Sequence, residues 1–565
     1  MILSCLPFLL VAGVASCSHP ARQPAPPWAW GAASLPSLAS LDKLRTASSS
    51  QVPVDVTLPV DEANTSAIGS NLGFAPPPGG IAFAVFRVLP PVETIVSVAA
   101  GGAHGLYLLV ADYGAGHWTG AVAVSGGFAV ASLSTLGNPL SPAGYVYCAV
   151  IAPPGVQGQL TSLALNYDGP SHIYYVAPPA KGGDDGNPGT SAAPWATLQH
   201  AADSIGPDTL VIVRAADYDG FTLGASGSFA QPIIFYAEPG VVLDGGYDED
   251  TGICLSAPSL PEVSNVVIEG FTIHYYAEYG IYVEGKTDKA HDITLRNNTV
   301  SSCVNSGIMV QHTDNAVIDG NTVSDCWGEA LQIVFDSDHV VVRHNLVFNN
   351  YGGGISFLNA PVAGGDNNLD DELITANICH DNYDGIWADG LTNSTISNNL
   401  LYANPQGLGF SNAYGYPCTG NLIANNTVLV GSTDETCVWL ADGSTGNKVF
   451  NNILYGNPDF GSLYITSPSL TDFLSDNNIL SDDIWLDGIH LTLAEWQAIT
   501  LRDAHSLVSL PALTFVDPSA PDYHLLPSAS AVNAALIDYM PSDDLDGVAR
   551  PQGAAPDCGC YELVP

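Results

Sequence analysis

Residues 293–310 read ITLRNNTVSSCVNSGIMV, residues 317–333 read VIDGNTVSDCWGEALQI, and residues 341–357 read VVRHNLVFNNYGGGISF. Each stretch has an apolar pair, an Asn, another apolar residue, a polar turn and a second alternating strand. Further copies follow as far as residue 478, and the shared Asn recurs at Asn298, Asn321, Asn345, Asn377, Asn399, Asn426, Asn452 and Asn478. Self-similarity at a short period is the signature of a repeat architecture, so this repeat decides the fold.

Short strands with a period of two and no helical periodicity predict that each repeat is one coil of a parallel β-helix. Stacking places equivalent residues of neighbouring coils about 4.8 Å apart. The recurring Asn side chains are therefore predicted to hydrogen-bond one another and the turn backbone, as an Asn ladder. The same stacking predicts an ion-pair ladder of alternating sign, formed by Glu269, Arg296, Asp319 and Arg343.

Composition bounds the class of protein. The 565 residues include 56 acidic and 13 basic side chains, for a formal charge of −43. Such a charge repels nucleic acid and anionic membranes, so a nucleic-acid partner is not expected. The charge is typical of a secreted protein, a salt-adapted protein or a binder of divalent cations. Cys303 and Cys326 share one position in adjacent coils, where they form either a disulfide or two stacked thiols.

The N-terminal part predicts export. Residues 1–17 form an export signal that is too short to span a bilayer. Residues 14–17 (VASC) resemble a bacterial lipobox, which makes Cys17 the candidate lipidation site, although no Lys or Arg precedes the apolar run. The alternative is an ordinary secretory signal with an incidental Cys. We expect a monomer at the bacterial cell surface or outer membrane, or a secreted one, which contacts the membrane only through a lipid anchor.

Domain boundaries follow from composition. Residues 18–50 are a Pro/Ala/Ser-rich linker. Residues 51–170 predict a small antiparallel β-sandwich, which is interpreted as a spacer. Residues 172–483 form the β-helix, in which Ser191 or Thr197 caps a short helix that covers the first coil. Residues 484–565 close the β-helix.

The two ends of the repeat region carry a family resemblance. The runs GDDGNPGTSAAPWATLQHAAD and DTLVIVRAADYDG resemble the start of secreted right-handed parallel β-helix proteins. Near the C-terminus, residues 491–535 and the run DLDGVARPQGAAPDCGCYE resemble their closing segments, with Cys558 and Cys560 where apolar and small residues are more common. The resemblance covers about 172–565 and implies an all-β, right-handed, single-stranded parallel β-helix. The superfamily includes polysaccharide lyases, glycosidases and alginate-type epimerases, so it implies a fold more firmly than a reaction.

A candidate substrate surface lies on the second strand of each coil. Alternation predicts that Tyr282, Met309, Gln332, Ser356, Trp387, Gly409, Trp439 and Tyr464 point outward in one strip. Aromatic faces stack on the apolar faces of sugar rings, so Tyr282, Gln332, Trp387, Trp439 and Tyr464 are candidate substrate-binding residues. The alternative is aromatic packing beneath a loop, because residues 359–372 form an insertion at this edge.

Candidate catalytic groups cluster at the ends of the same strands. Glu329 and Asp384 hold equivalent positions two coils apart, so their backbones are about 9.6 Å apart. That spacing suits an inverting glycosidase pair, whose carboxyl groups stand about 6.5–9.5 Å apart. An active site of this kind is expected to bring Glu329, Gln332, His312, Asp384 and Asp389 together beside an exposed Trp387. Alternatively, each carboxylate is an ordinary solvated turn residue.

Eliminating lyase or epimerase chemistry is the alternative reaction. It needs a base for the sugar C5 proton and a cation near the uronate carboxylate, and His312 or Lys286 is the candidate base. A Ca²⁺ ion is the candidate cofactor, held by side chains of the insertion: Asp366, Asp370, Asp371 and Glu372. His312 alternatively caps a turn. Motifs of pectin hydrolases, alginate epimerases and the commonest pectate lyases are missing.

Two functional hypotheses follow. The first is an exported β-helix protein that binds an extracellular polysaccharide and cleaves or modifies it, as a lyase, an epimerase or an inverting hydrolase. The second is a non-catalytic surface adhesin or scaffold that binds carbohydrate, which the scarcity of basic residues and the missing catalytic motifs favour.

Overall fold

The computed structural model describes residues 172–564, apart from 229–230, 258–261, 360–368, 413–414, 431–435 and 458. Of the first 171 residues it describes parts of 61–167. The predicted export signal with Cys17 and the linker 18–50 lie outside the described residues. Within the described part, no helix has both the length and the apolar character needed to cross a membrane.

The N-terminal unit ends at Asn166 and consists of two antiparallel sheets, as the sequence predicted. The strands of the first sheet are Asp61–Ala63, Ala82–Val88, Val146–Ala152, Tyr107–Asp112, His117–Trp118 and Val122–Ala123. The strands of the second sheet are Thr65–Ile68, Asn71–Phe74, Gly158–Tyr167, Ile95–Gly102 and Phe128–Ser132. Val146–Ala152 is buried along its whole length, between strands Ala82–Val88 and Tyr107–Asp112.

The second unit is a parallel β-helix of three long sheets, which we number in the order in which the chain enters them. The main strands of sheet 1 are His172–Val176, Thr209–Val213, Ile233–Ala237, Ser264–Glu269, Ala290–Arg296, Val317–Asp319, Val341–Arg343, Leu373–Thr375, Thr395–Ser397, Leu422–Ala424, Lys448–Phe450 and Leu474–Asp476. A short strand, Thr313–Asp314, pairs beside them.

Sheets 2 and 3 have 12 strands each. The strands of sheet 2 are Asp217–Tyr218, Val242–Asp244, Thr272–His274, Thr299–Ser301, Thr322–Ser324, Leu346–Phe348, Ile378–His380, Leu400–Asn404, Thr427–Val430, Ile453–Tyr455, Ile479–Leu480 and Leu507–Val508. The strands of sheet 3 are Phe221–Leu223, Thr251–Leu255, Tyr279–Glu284, Ile308–Gln311, Leu331–Val334, Ile355–Leu358, Asp384–Asp389, Gln406–Ser411, Val438–Leu440, Leu463–Ile465, Ile484–Leu486 and Ile489–Leu491.

The predicted Asn ladder is confirmed at the turn from sheet 1 to sheet 2. Asn298 Nδ2 donates to Asn321 Oδ1 at 3.1 Å, and the same bond is repeated at 2.9–3.1 Å through every coil to Asn478. From Asn321 onward, each ladder Oδ1 also accepts from the backbone N–H of the preceding ladder Asn, and Asn321 Oδ1 accepts from Asn298 N at 3.0 Å. The ladder therefore satisfies buried backbone groups that the turn leaves without a strand partner.

The charged series on sheet 1 is also confirmed. Strand pairing aligns Glu269 with Arg296 and Asp319 with Arg343. Each Arg Nη2 lies 2.9 Å from a carboxylate oxygen of its partner. Since Arg296 and Arg343 are held on sheet 1, neither can serve sheet 3.

Two further ladders line the other turns, and the sequence analysis did not identify them. At the turn from sheet 2 to sheet 3, Asn350 Nδ2 donates to Asn382 Oδ1 at 2.8 Å, and Asn382 Nδ2 to Asn404 Oδ1 at 3.3 Å. Cys303 and Cys326 continue this row as buried free thiols. At the turn from sheet 3 to sheet 1, Ser394, Asn421 and Asn447 form the third ladder.

A helix covers each end of the stack. The first helix, α1 (Leu198–Ser204), begins at Thr197, whose hydroxyl accepts from His200 N at 3.1 Å. The predicted cap at Thr197 is thereby confirmed. The second helix, α2 (Leu493–Thr500), has a capping box of Thr492 and Glu495 and buries Trp496 completely in the core.

The C-terminal segment packs on the outer face of sheet 2. Apolar side chains of that face, including Leu400, Ile453 and Ile479, are buried against residues that follow the third helix, α3 (Pro511–Thr514). The segment includes the hairpin of Phe515–Asp517 and Asp522–Leu525 and a helical turn at Ile537–Tyr539. Cys558 and Cys560 are buried free thiols in this cluster, which explains why bulky apolar side chains are not needed there.

Candidate functional site

The predicted outward strip on sheet 3 is continuous from coil to coil. Strand register places its eight residues side by side, in the order Tyr282, Met309, Gln332, Ser356, Trp387, Gly409, Trp439 and Tyr464. Trp485 extends the row by one coil. The five candidate substrate-binding residues are partly exposed, whereas Met309 and Ser356 are buried. The strip thus has aromatic side chains at both ends, and the small residues Ser356 and Gly409 lie on either side of Trp387 in its middle.

The carboxyl groups of Glu329 and Asp384 lie just before the strands of this strip. Register places Glu329, Gly353 and Asp384 in one row, so that a glycine stands in the coil between the two acids. Two strand spacings separate the acid backbones by about 9.6 Å. Both side chains are partly exposed. Water and a ligand can therefore reach both acids.

The Glu329 carboxylate leans over Gly353. Its Oε2 accepts from Gly353 N at 2.5 Å and from the Ser356 hydroxyl at 2.8 Å. A Cβ at position 353 would lie 2.5 Å from that same oxygen. The absence of a side chain at Gly353 therefore lets Glu329 reach over the neighbouring coil as far as Ser356.

A second glycine shapes the other side of the site. The indole of Trp387 lies over Gly409, because a Cβ there would stand 2.5 Å from the Trp387 ring and 2.5 Å from Gln406 Nε2. Gln332 closes the opposite edge, where its Oε1 accepts from the Ser306 hydroxyl at 2.8 Å. The acids, Gln332 and the Trp387 ring therefore lie on one partly exposed surface, with the buried Gln406 beneath it.

Three of the predicted catalytic residues lie at the opposite end of the sheet 3 strands. Asp389 ends the strand that Asp384 begins, roughly 16 Å away. It is buried and accepts from the Ser411 hydroxyl. Lys286 Nζ bonds to Ala257 O and pairs with Glu284, both at 3.3 Å. Strand register therefore places Glu329, Gln332, Asp384 and Trp387 near one another on sheet 3, whereas His312 and Asp389 of the expected group, and also Lys286, lie at the other end of the strands.

His312 is part of a buried charged cluster instead. It follows the strand Ile308–Gln311, with its Nε2 3.8 Å from Asp336 Oδ2. Burial lowers the pKa of its imidazole, and the nearby Lys289 lowers it further. Lys289 pairs with Asp314 at 2.9 Å and with Asp338. Lys289 therefore offsets part of the negative charge of Asp314, Asp336 and Asp338 beside His312.

The residues predicted to hold Ca²⁺ have separate roles. Asp366 lies outside the described residues. Asp370 N donates to Asp338 Oδ1 at 3.0 Å, and Asp371 lies 3.8 Å from His339 Nε2 on the surface. In the described ranges, His, Cys, Asp and Glu side chains do not gather in threes as a metal requires. Calcium binding by the insertion stays a prediction.

Glu372 belongs to the third ladder. It is buried, its Oε2 accepts from Val340 N, and its own N–H donates to Ser394 Oγ at 2.9 Å. Its Oε1 has no hydrogen-bond partner. Burial raises the pKa of this carboxyl well above its ordinary value, and Asp338, Asp314 and Asp370 contribute to the rise. Glu372 thus lies between Val340 and Ser394 in this row, where Asn421 and Asn447 supply amides further along.

Glu372→Gln is expected to stabilise the protein at neutral and alkaline pH. Because the folded-state pKa of Glu372 is raised, the protonated carboxyl contributes its full stability to the wild type at low pH. As the pH rises and the buried carboxyl ionises, the free energy of unfolding of the wild type falls. A Gln amide keeps the acceptor for Val340 N and carries no charge, so the expected gain at pH 8 is about 1–3 kcal/mol. Urea unfolding at pH 5 and pH 8 measures it.

The matched control is Asp371→Asn, which removes an exposed charge from the adjacent residue. This control is expected to change the free energy of unfolding little at either pH. A Glu372→Gln variant that is no more stable than the wild type at pH 8 contradicts the assignment.

The sequence analysis missed three exposed aromatic residues beside the acids. Trp327, Tyr351 and Tyr383 occupy successive coils at the turn from sheet 2 to sheet 3. Trp327 precedes Glu329 by two residues, and Tyr383 directly precedes Asp384. The available signal was an aromatic residue directly after Cys326, Asn350 and Asn382, which form one row of the repeat.

A known protein family and a known protein match the repeat region of this chain. The family profile described as "Right handed beta helix region" matches residues 251–373 and 367–480. An uncharacterized protein of Bacillus subtilis (strain 168), YwoF, is 25% identical over 386 residues, which cover 59% of this chain and 80% of that protein.

Solved structures at lower identity also match. A structure of XylC with xylose is 11% identical with a TM-score of 0.46, over 69% of this chain and 98% of that one. Pectate lyase Pel9A is 17% identical with a TM-score of 0.44, over 70% and 98%. The A-module of mannuronan C-5 epimerase AlgE4 of Azotobacter vinelandii is 13% identical with a TM-score of 0.36, over 60% and 97%. Likenesses at this level say nothing about the reaction.

Proposed function

We propose that this chain, which folds as a parallel β-helix and matches the right-handed β-helix profile over residues 251–480, hydrolyses an extracellular polysaccharide with inversion, using Glu329 and Asp384. The observation that carries the proposal is the row Glu329, Gly353 and Asp384, in which two accessible acids flank a position without a side chain. The extracellular location rests on the export signal predicted in residues 1–17.

The separation of the two acids favours the inverting route. Their backbones are about 9.6 Å apart, and the Glu329 carboxylate lies over Gly353 in the coil between them. Carboxyl groups about 6.5–9.5 Å apart leave room for a water between the base and the sugar. A retaining enzyme needs about 5–5.5 Å, which residues two coils apart do not favour.

Hydrogen bonding assigns the roles of the two acids. Glu329 Oε2 accepts bonds from Gly353 N and the Ser356 hydroxyl, which hold the carboxylate in a fixed position over Gly353. Glu329 therefore acts as the base that takes a proton from water as its oxygen attacks the anomeric carbon. Asp384 gives its proton to the glycosidic oxygen as the bond to the anomeric carbon breaks. Each acid is restored by proton exchange with solvent after the products leave.

Elimination is less well supported by the same geometry. A lyase needs a cation or metal close to the uronate carboxylate and a base over the C5 proton. Lys286 and His312 lie at the far end of the strands, where each already contacts a carboxylate. In the described part of sheet 3, no strand contains Lys or Arg.

The test is a panel of polysaccharides assayed for new reducing ends, with the anomer of the first product identified by NMR. Glu329→Gln and Asp384→Asn are each expected to lower the rate by about 10²–10⁴-fold, since each removes one proton transfer. Gly353→Ala is expected to lower it as well, because the new Cβ displaces the Glu329 carboxylate.

Two matched controls accompany these variants. Asp381→Asn removes an exposed acid of the same turn, and Gly206→Ala adds a Cβ where no atom lies within 4 Å. Both controls are expected to keep wild-type activity. Unchanged rates in Glu329→Gln and Asp384→Asn, or unsaturated products absorbing near 235 nm, contradict the proposal. Binding without any hydrolysis would favour the non-catalytic adhesin.

A further inference from the structure

The turn that leads into sheet 3 presents three aromatic rings to solvent in adjacent coils. Trp327 is 69% exposed, Tyr351 86% and Tyr383 58%. We call these three residues the aromatic rail. Large apolar side chains are normally exposed singly, and a contiguous group marks a binding surface. Because the rings follow one another along the coil axis, the rail suits an elongated ligand that runs along that axis.

The backbone holds the rail in place. Trp327 N donates to Cys303 O and Tyr351 N to Cys326 O, both at 2.9 Å, and Tyr383 N donates to Gly352 O at 3.0 Å. The residues just inside the rings belong to the second Asn ladder, where Cys326 N and Asn350 N each bond to the next Asn. The left-handed residues Asp325, Asn349 and Asp381 begin each turn. The rings are thus carried on fixed turns, which lowers the entropy cost of binding.

The acidic side chains around the rail favour a neutral ligand over an anionic one. Asp325 and Asp381 precede the rings, and Glu329 and Asp384 follow them. Neither Lys nor Arg occurs in residues 302–307, 325–330, 349–354 or 381–383, and the whole chain carries a formal charge of −43. An anionic glycan would bring its carboxylates against these acids without a cation to pair them. A neutral sugar avoids this cost and offers apolar ring faces to the aromatic side chains.

We infer that Trp327, Tyr351 and Tyr383 form a docking rail for a neutral polysaccharide that lies along the β-helix axis. The inference deepens the proposed function and rests on it for the fate of the bound chain. Trp327 precedes Glu329 by two residues and Tyr383 directly precedes Asp384, so a glycan on the rail passes the Glu329–Asp384 site. The expected substrate is therefore a neutral glycan, rather than a uronate polymer.

The experiment measures binding separately from cleavage, with full-length protein carrying Asp384→Asn so that substrate survives. Affinity electrophoresis is run against neutral polysaccharides (β-glucan, xylan and mannan) and charged ones (alginate and polygalacturonate). Binding to at least one neutral glycan is expected, with less than about a twofold change between low and high salt, because no ion pairs are involved. Adding Trp327→Ala, Tyr351→Ala and Tyr383→Ala is expected to weaken it by roughly 10- to 100-fold.

The matched control is Ile499→Ala, an exposed apolar residue of helix α2 that is 60% exposed. This control is expected to leave binding unchanged. Preference for the charged polymers overturns the inference, as does unchanged binding in the triple variant. It is also overturned if the triple substitution converts a dimer to a monomer in sedimentation without altering glycan binding.

The two proposals fail in distinguishable ways. If the wild type binds a neutral glycan through the rail and does not cleave it, the proposed hydrolysis fails and the rail stands. If the triple variant in the active background cleaves a glycan with unchanged KM and kcat, the rail fails and the acid pair stands.

Discussion

Arg550→Met is expected to destabilise the C-terminal segment by about 3–5 kcal/mol, the cost of leaving a buried charge without its partner. Arg550 Nη1 lies 3.0 Å from Glu562 Oε2, and both side chains are 0% exposed. The same guanidinium donates at 2.8 Å to Asp557 O and to Gly559 O. Met keeps the apolar stem and removes every one of these donors.

The effect should be local, because Arg550 fastens the last residues to sheet 2. Its Nη2 also reaches Asn398 Oδ1 at 3.4 Å, beside the Asn ladder. Loss of these contacts releases the segment from Leu400, Ile453 and Ile479, whose apolar side chains it covers. Limited proteolysis and hydrogen exchange of residues 515–564 measure this opening more directly than a single melting temperature, since a chain of two units need not unfold in one step.

The control for this prediction is the double variant Arg550→Met, Glu562→Leu. Replacing both partners removes the orphaned carboxylate, so part of the lost stability is expected to return, while Gln552 N and Asp557 N lose Glu562 as their acceptor. Equal protease sensitivity of the single variant and the wild type would show that the ion pair does not hold the segment.

The second large effect is expected from Asn399→Ala in the middle of the Asn ladder. Asn399 Oδ1 accepts from Asn377 N and Nδ2, both at 3.0 Å, and Asn399 Nδ2 donates to Ile374 O and to Asn426 Oδ1, both at 2.9 Å. Alanine leaves several buried polar atoms without partners, each at about 1–3 kcal/mol when relaxation and water do not help. We expect a loss of about 3–5 kcal/mol in urea unfolding.

The control is the same substitution at the first Asn of the ladder. Asn298 is the first member, and its Oδ1 accepts from Phe271 N at 3.0 Å, with no Asn before it in the row. Asn298→Ala therefore orphans fewer groups, and a smaller loss is expected than at Asn399. Equal losses at the two sites would mean that the ladder acts through single bonds rather than as a continuous row.

The repeat made the fold and the strip predictable because spacing alone fixes register in a stack. Once Asn298 and Asn321 are equivalent, Met309 must stand beside Gln332, and strand pairing bears this out. Burial in the same coils follows from alternation. The predicted row of Glu329 and Asp384 also needs only this register.

Side-chain convergence was less predictable, because it depends on which end of a strand each residue occupies in three dimensions. Asp389 and Asp384 are close in sequence yet roughly 16 Å apart, since an extended strand separates them. The aromatic rail was missed for a related reason. Turn residues such as Tyr351 follow no alternation, so only the equivalence of Cys326, Asn350 and Asn382 would have revealed it.

The two end helices have a consequence for how molecules of this protein meet one another. A parallel stack ends in strands whose backbone groups can pair with another chain, which is a route to fibres. Helix α1 lies over the first coil, and α2 places Trp496 in the last part of the core, while Ile489–Leu491 turns back antiparallel beside Ile484–Leu486. These elements disfavour end-to-end pairing of the coils with another chain, so that the length of sheet 3 is set by the coils of a single chain.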